Sequence, residues 1–231
     1  MLRALLDRIA VGLPGQCEVC RTWPAQPVCE ACVARFAQPV PRCRRCALPV
    51  AAGVVECGQC LRAPPPLDAC HAAVSYAYPW SSLISHYKFH DQPGWANSFA
   101  TLLRSAPWVE PAIEAADTVL PMPLWRERLA ARGFNQALEL ARRLAPGKTD
   151  PALLLRVRDT PPQLALDRAA RLANMRDAFA LDPLRAAGVR GRRLLLVDDV
   201  MTSGATLFSA AAVLRQAGAA QVAAVVIART D

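Results

Sequence analysis

Four Cys-x-x-Cys pairs crowd the front of this chain: Cys17/Cys20, Cys29/Cys32, Cys43/Cys46 and Cys57/Cys60. A Pro- and Gly-rich segment this short, with almost no helical or strand period, buries too little apolar area to fold unaided and needs staples. The start, MLRALLDRIAVGLPG, is interrupted by Arg3, Asp7 and Arg8. It therefore lacks the continuous apolar segment of a secretory leader, and Leu2, Leu5, Leu6 and Ile9 suit one face of a short helix instead. The expected setting is cytoplasmic, where structural disulfides are rare. The spacing C-x2-C-x8-C-x2-C-x10-C-x2-C-x10-C-x2-C supplies two complete four-thiolate sites. Each Cys-x-x-Cys turn gives half of a tetrahedron, so two structural zinc ions are expected, with regular short knuckles favouring zinc over an iron–sulfur cluster. Sequential pairing is the simpler arrangement; crossed pairing is geometrically possible as well. With all four positions taken by sulfur, neither site has an opening for substrate. Cys70 lies outside the pattern and reads as a core residue.

After Ala63-Pro64-Pro65-Pro66, a stiff extended connector, the character of the chain changes. The expected division is 1–66, a zinc-binding double-ribbon module with its linker, and 67–231, a larger domain. Hydrophobic residues make up 53% and charged residues 20%, enough apolar material for a core and too much for a disordered chain. Segments 72–78, 117–120, 193–197 and 222–227 read as strands. Segments 95–104, 126–145 and 206–217 read as helices, with Gly133 and Asn135 as a weak point in the second and Gly218 as the stop of the third. RLLLV and VAAVVI are near-continuous apolar runs, as strands covered on both faces require. Strand, helix and strand in succession imply a parallel crossover, hence an α/β fold with a doubly wound parallel sheet. The longest uncharged stretch, 69–87, is interrupted by His71, Pro79 and His86, so no membrane span is expected.

The formal net charge of +8 favours phosphates, nucleic acid or anionic surfaces as partners. Two zinc ions held by eight thiolates would reduce it to about +4.

The segment most informative about chemistry is LLLVDDVMTSGAT (194–206). An apolar strand leads into Asp198-Asp199, and Thr202, Ser203, Gly204, Ala205 and Thr206 follow at a helix start. Ligands of open α/β sheets sit beyond the carboxyl ends of the strands. Small residues let backbone N–H groups and a helix N-terminus close around an anion such as a 5′-phosphate. Carboxylates would repel that phosphate, but they suit the 2′- and 3′-hydroxyls of a ribose. Phosphate at one end and diol at the other describe a phosphoribosyl group. Gly147-Lys148-Thr149 superficially suggests a Walker loop, but position 142 is Arg rather than Gly and helix rather than strand precedes it.

This string resembles the phosphoribosyl pyrophosphate loop of type I phosphoribosyltransferases. Together with the cysteine-rich front, PMPL (121–124), RGFNQ (132–136) and RDTPPQ (158–163), the chain resembles the ComF/GntX family over nearly its full length. The resemblance implies a type I phosphoribosyltransferase-like domain, ribose hydroxyls held by Asp198 and Asp199, and a 5′-phosphate in Thr202–Thr206. It also implies a pyrophosphate loop around Met122, Pro123 and Leu124, Mg2+ bound with phosphoribosyl pyrophosphate, and links to competence and DNA uptake. In purine-salvage enzymes of this type, the position matching Thr202 is commonly an Asp facing the base. Threonine cannot serve as that carboxylate, which argues against purine salvage.

Displacing pyrophosphate from C1 of the ribose needs cationic help for the leaving group. Candidates are Lys88, Arg132 and Arg158, then Arg126, Arg128, Arg168, Arg171 and Arg176. Gly133 could act as the hinge of a lid. His86 and His90 read as surface groups and Trp125 as packing. A competing reading is a protein that handles single-stranded DNA, or docks a competence protein, and uses the loop for ligand or strand phosphates without turnover. An aromatic content of 6% gives little support for an extended base-stacking platform.

Overall fold

The computed structural model describes residues 15–89, 92–159 and 177–231. The expected N-terminal helical face (Leu2, Leu5, Leu6, Ile9), His90, Arg168, Arg171, Arg176 and most of RDTPPQ lie outside these residues. The chain divides into two compact units, with the boundary between Gln38 and Pro39.

The unit that ends at Gln38 contains the first cysteine group and α1 (Glu30–Phe36), which starts directly after Cys29. The larger unit begins with the second cysteine group and α2 (Gly58–Arg62), which starts directly after Cys57. It continues through β1 (Ala69–Ser75), α3 (Trp80–Phe89), α4 (Trp95–Ser105), α5 (Val109–Ala115) and β2 (Thr118–Pro121). Then follow α6 (Arg126–Arg132), α7 (Gln136–Leu144), β3 (Leu154–Arg156), β4 (Phe179–Leu181), β5 (Arg193–Met201), α8 (Ala205–Gln216) and β6 (Gln221–Arg229).

Four strands form one parallel sheet in the order β1-β6-β5-β2, while β3 and β4 pair antiparallel. Helices cover both faces of the parallel sheet, so β5 and β6 at its centre are apolar on both sides. Leu194 and Leu196 of β5 join Val222, Ala224 and Val226 of β6 under Leu207, Ala210, Ala211 and Leu214 of α8. Successive strand residues alternate faces, which sends Leu195, Val197, Val225 and Ile227 to the other side. All four are at most 1% exposed. Helices α4 and α7 lie on that side, with the tilted aromatic series Trp95–Phe99–Tyr87–Phe134.

Several boundaries differ from the sequence expectation. β1 occupies 69–75 rather than 72–78 because its partner runs out: Ser75 faces Arg229, the last residue of β6, and Tyr76 makes the final bond to the Arg229 carbonyl. Tyr76 and Tyr78 are consequently exposed. The expected helix 126–145 is two helices. Gly133, at φ 77°, ends α6 in the left-handed conformation that glycine adopts without a Cβ penalty. Asn135 caps α7, its Oδ1 accepting from the amides of Ala137 (3.0 Å) and Leu138 (3.2 Å). Its Nδ2 donates to the Met122 carbonyl at 3.1 Å, so the residue read as a weak point is a tie between the 122–124 turn and α7. Lys148, of the discarded Walker-like triplet, is a staple: its ammonium donates to the carbonyls of Ile113, Glu114 and Ala116 at 2.9–3.0 Å.

Asn135→Ala should remove both capping bonds and the tie to Met122. Urea unfolding is expected to show a loss of about 1–2 kcal/mol, with faster amide exchange at 122–124. Unchanged exchange there would mean that the turn is held by other contacts.

Candidate functional site

The two cysteine groups have the same local build. In each, the residue after the second cysteine takes a positive φ (Arg21 64°, Ala47 55°) and donates its N–H to the first cysteine's carbonyl. The third cysteine's amide then donates to the first cysteine's sulfur: Cys29 to Cys17 at 3.4 Å, and Cys57 to Cys43 at 3.3 Å. A helix starting after that cysteine carries the fourth. The clusters are sequential, Cys17–Cys20–Cys29–Cys32 and Cys43–Cys46–Cys57–Cys60, with ligand atoms all within 4.8 Å of one another. A tetrahedron with Zn–S of 2.3 Å has sulfurs about 3.8 Å apart. Observed separations of 3.9 Å (Cys17–Cys32), 3.6 Å (Cys20–Cys29) and 3.7 Å (Cys46–Cys57) fit it. Burial pushes the Cys46 thiol up to about 11 and the Cys60 thiol higher still, so four thiolates together there call for a bound cation. Each group could hold zinc.

Their surroundings differ. Cys20 is exposed and Cys29 half-buried, whereas Cys43, Cys46, Cys57 and Cys60 are all buried. The second group shares a core with Leu67, Cys70, Ala72, Met201 and Phe208. Cys70 is the core residue that its lone position suggested, and its amide bonds the Arg44 carbonyl at 2.7 Å.

At the rim of the sheet, β5 continues past its apolar run through Asp198 and Asp199 to Met201, because β6 offers partners as far as Arg229. The pleat therefore inclines the two carboxylates toward opposite sides of the strand. Asp199 is buried, 7% exposed, and its Oδ1 accepts from Lys88 Nζ at 2.9 Å and from the Val200 amide at 2.6 Å. Asp198 is half-buried and accepts from the Asp199 amide at 2.9 Å. Burial first, then repulsion from Asp199, push its carboxyl up to about 7, while Lys88 and Arg156 act in the opposite direction.

Arg132 is half-buried with its guanidinium 5.0 Å from the Phe89 ring centre. Burial depresses its pKa, whereas attraction to Asp199 and Asp198 opposes that shift. Arg156, which sequence reasoning passed over, is likewise close enough to Asp198 for its charge to be felt. Its place in a three-residue strand that pairs with residues some 25 positions later gave no local signal. Lys88 and Arg132 thus gather at the acidic pair. Arg158, by contrast, is exposed, one residue from the edge of the described segment. His86 is exposed, and Trp125 is half-buried with Arg126 5.7 Å from its ring centre.

Met122 is buried. Its amide donates to the Val197 carbonyl at 2.9 Å, placing the 122–124 turn directly beside Asp198, with Pro123 and Leu124 half-buried. On the far side of the acids, Thr202 is exposed, Ser203, Gly204 and Ala205 are buried, and Thr206 is half-buried. Gly204, at φ 81°, is the N-cap of α8. A Cβ there would lie 2.6 Å from Met201 Cε and from the Phe208 ring, so glycine is required by both backbone and space. As a cap it offers no side-chain acceptor; Ser203 Oγ accepts from the Ala205 amide at 3.4 Å. The first turn of α8 thus starts without a side-chain cap at Gly204, as a helix start that receives an anion would.

A parallel sheet whose central strand delivers an acidic pair and then a glycine-capped helix start defines a phosphoribosyltransferase-type domain, and the family described as Phosphoribosyl transferase domain matches residues 130–231. Over 227 residues the chain is 33% identical to the DNA utilization protein YhgH of Salmonella typhimurium, covering 94% of this chain and 98% of that one. It is 30% identical over 203 residues to Competence protein F of Haemophilus influenzae, covering 84% and 87%. Among solved structures it is similar to TT1426 from Thermus thermophilus, at 26% identity over 60% of this chain and 74% of that one, with a TM-score of 0.31. The chain belongs to the ComF/GntX family. Among the described residues, no helix is long and apolar enough to cross a membrane.

The raised pKa of Asp198 has a consequence for stability. The folded state holds this proton more tightly than the unfolded state, so the group's stabilising contribution is present at low pH and is lost as pH rises through about 7. Asp198→Asn should therefore raise the melting temperature at pH 8, by about 2–4 °C for each kcal/mol of relieved strain. The gain should shrink as pH falls from about 7 and vanish only below about pH 4, where the unfolded carboxyl is protonated as well. Equal melting temperatures at pH 8 would contradict the assignment.

Proposed function

We propose that the chain binds phosphoribosyl pyrophosphate with Mg2+ at the carboxyl end of β5 and transfers the phosphoribosyl group to an acceptor in the use of incoming DNA. The observation that carries this reading is the run from Asp198 to Thr206: two carboxylates with nearby cations, then a glycine-capped helix start. In this reading the amides at the start of α8, with Ser203 and Thr206, receive the 5′-phosphate. Asp198 and Asp199 accept hydrogen bonds from the ribose hydroxyls, which requires Lys88 to exchange its contact with Asp199 for the ligand's pyrophosphate. Arg132 stands where it can follow the same charge. The 122–124 turn, tied to β5 and α7, cradles the leaving group. Bound Mg2+ would neutralise pyrophosphate charge. A nitrogen nucleophile then forms the new bond to C1 as the bond to pyrophosphate breaks, with the electron pair leaving on pyrophosphate oxygen.

Asp198 is also the reason binding should depend on pH. With its pKa near 7, the metal–sugar complex should bind more weakly as pH falls from 8 to 6.

A second reading is favoured by one observation: Phe89, 66% exposed, lies under Arg132 beside the acids, and Tyr78 is equally exposed. Exposed rings with a cation suit stacking of single-stranded bases. The names of the relatives, DNA utilization protein and Competence protein F, are compatible with either.

Calorimetry with Mg2+ and phosphoribosyl pyrophosphate at pH 8 decides. Wild type should bind, and Asp198→Asn/Asp199→Asn should lose at least about tenfold in affinity. Undiminished binding by the double variant would refute the site. If only single-stranded DNA binds, with a steep loss as salt rises, the second reading replaces the first.

A further inference from the structure

The second metal centre and the phosphate loop meet at one buried cation. Arg229, the last residue of β6, is 3% exposed. Its Nε donates to the Cys46 carbonyl at 2.9 Å and its Nη1 to the Met201 carbonyl at 3.3 Å. Nη1 also reaches the Thr230 carbonyl and the Thr230 hydroxyl, the latter at 3.1 Å. Each of these acceptors is a carbonyl or hydroxyl oxygen. Met201 immediately precedes the Thr202–Thr206 turn, and its carbonyl accepts a second bond from the Thr230 amide at 3.1 Å. Its sulfur contacts Cys70 Sγ at 3.5 Å.

A second guanidinium stands next to the first. Arg42, one residue before Cys43, donates to the Ala47 carbonyl and to Ser75 Oγ, both at 3.1 Å, while its buried Nε has no hydrogen-bond partner among the described residues. Burial depresses its pKa first; attraction to the exposed Asp231 opposes that shift, and repulsion from Arg229 adds to it. A buried and a half-buried guanidinium, with an exposed carboxylate as counter-charge, leave room for a further compensating anion. Four thiolates around one divalent ion carry a net charge of about −2; Arg42 precedes the Cys43–Cys46–Cys57–Cys60 group in sequence, and Arg229 donates to the carbonyl of one of its members, Cys46.

We propose that Arg229 is a positioning residue that couples the second metal centre to the phosphate loop. The metal-bound tetrathiolate holds Arg229 as its counter-charge and through the Cys46 carbonyl, and Arg229 in turn holds the Met201 carbonyl at the base of the turn. Loss of this metal loosens the loop. Loss of the first metal, from the group with the exposed Cys20, does not. The consequence for ligand binding rests on the phosphosugar reading; the coupling does not.

Hydrogen exchange on the full chain, with zinc counted on the same samples, tests it without a ligand. Cys60→Ser should lose the second zinc and speed exchange of amides 202–206 by about tenfold or more, with 222–227 unchanged, whereas Cys20→Ser should leave the loop at the wild-type rate. Arg229→Met should loosen the loop as Cys60→Ser does. Arg229→Lys should be intermediate, because one ammonium cannot replace the guanidinium fork. Shedding of the second zinc by Arg229→Met would express the same coupling from its other end. Wild-type exchange in Arg229→Met with both zinc ions retained would overturn the proposal, as would equal loosening in Cys20→Ser. Should Cys60→Ser fail to fold, stepwise chelation of the wild-type chain gives the same comparison. A wild type that fails to bind phosphoribosyl pyrophosphate would remove the functional reading and leave the coupling to be decided by exchange.

Discussion

Two adjacent carboxylates carried into the rim of a parallel sheet impose most of what surrounds them. Asp198 and Asp199 are in the ladder, not beyond it, because β6 runs alongside as far as Arg229. Neither can be desolvated without counter-charge, and the fold brings cations from three separated elements: Lys88 on α3, Arg132 at the end of α6 and Arg156 on β3. The compensation is incomplete, and the raised Asp198 pKa measures the remainder. A ligand offering hydroxyls and a divalent cation would complete it, which is why an arrangement that weakens the empty fold suits a binding site.

The same economy governs the cysteines. Two knuckles with the same hydrogen-bond pattern end in different situations, one in a unit ending at Gln38 with a sulfur open to solvent, the other inside the core of the α/β body. Coordination of a metal ion by four thiolates would explain why each folds. It does not explain why the second is enclosed; that follows from Leu67, Cys70, Met201 and Phe208 packing around it and from Arg229 bonding its backbone. The Pro64–Pro66 connector separates segments of different composition, while the boundary between compact units falls earlier, between Gln38 and Pro39.

Where reading the sequence went astray, partner strands and caps were responsible. β1 and β5 each have boundaries set by how far β6 extends, a length that no window within β1 or β5 contains. Residues 126–145 have helical composition throughout, yet Gly133 and Asn135 turn the chain so that Asn135 can reach the Met122 carbonyl. Arg156 and Arg229 look like ordinary strand-end charges until the sheet and the second knuckle are assembled around them.

Local chemistry was therefore written in the sequence. Spacing of sulfur pairs dictated two four-cysteine clusters, unbroken apolar runs dictated strands covered on both faces, and an acidic pair before Thr-Ser-Gly dictated carboxylates close to a helix start. These follow from short-range geometry and from the cost of leaving apolar or ionised groups in the wrong surroundings. Only the tertiary structure decided which cations face the acids and which cysteine group is bonded, through Arg229, to the base of the 202–206 turn. Electrostatic and hydrogen-bond partners in this chain lie up to 183 positions apart, and no periodicity records a contact made by folding two such distant segments together.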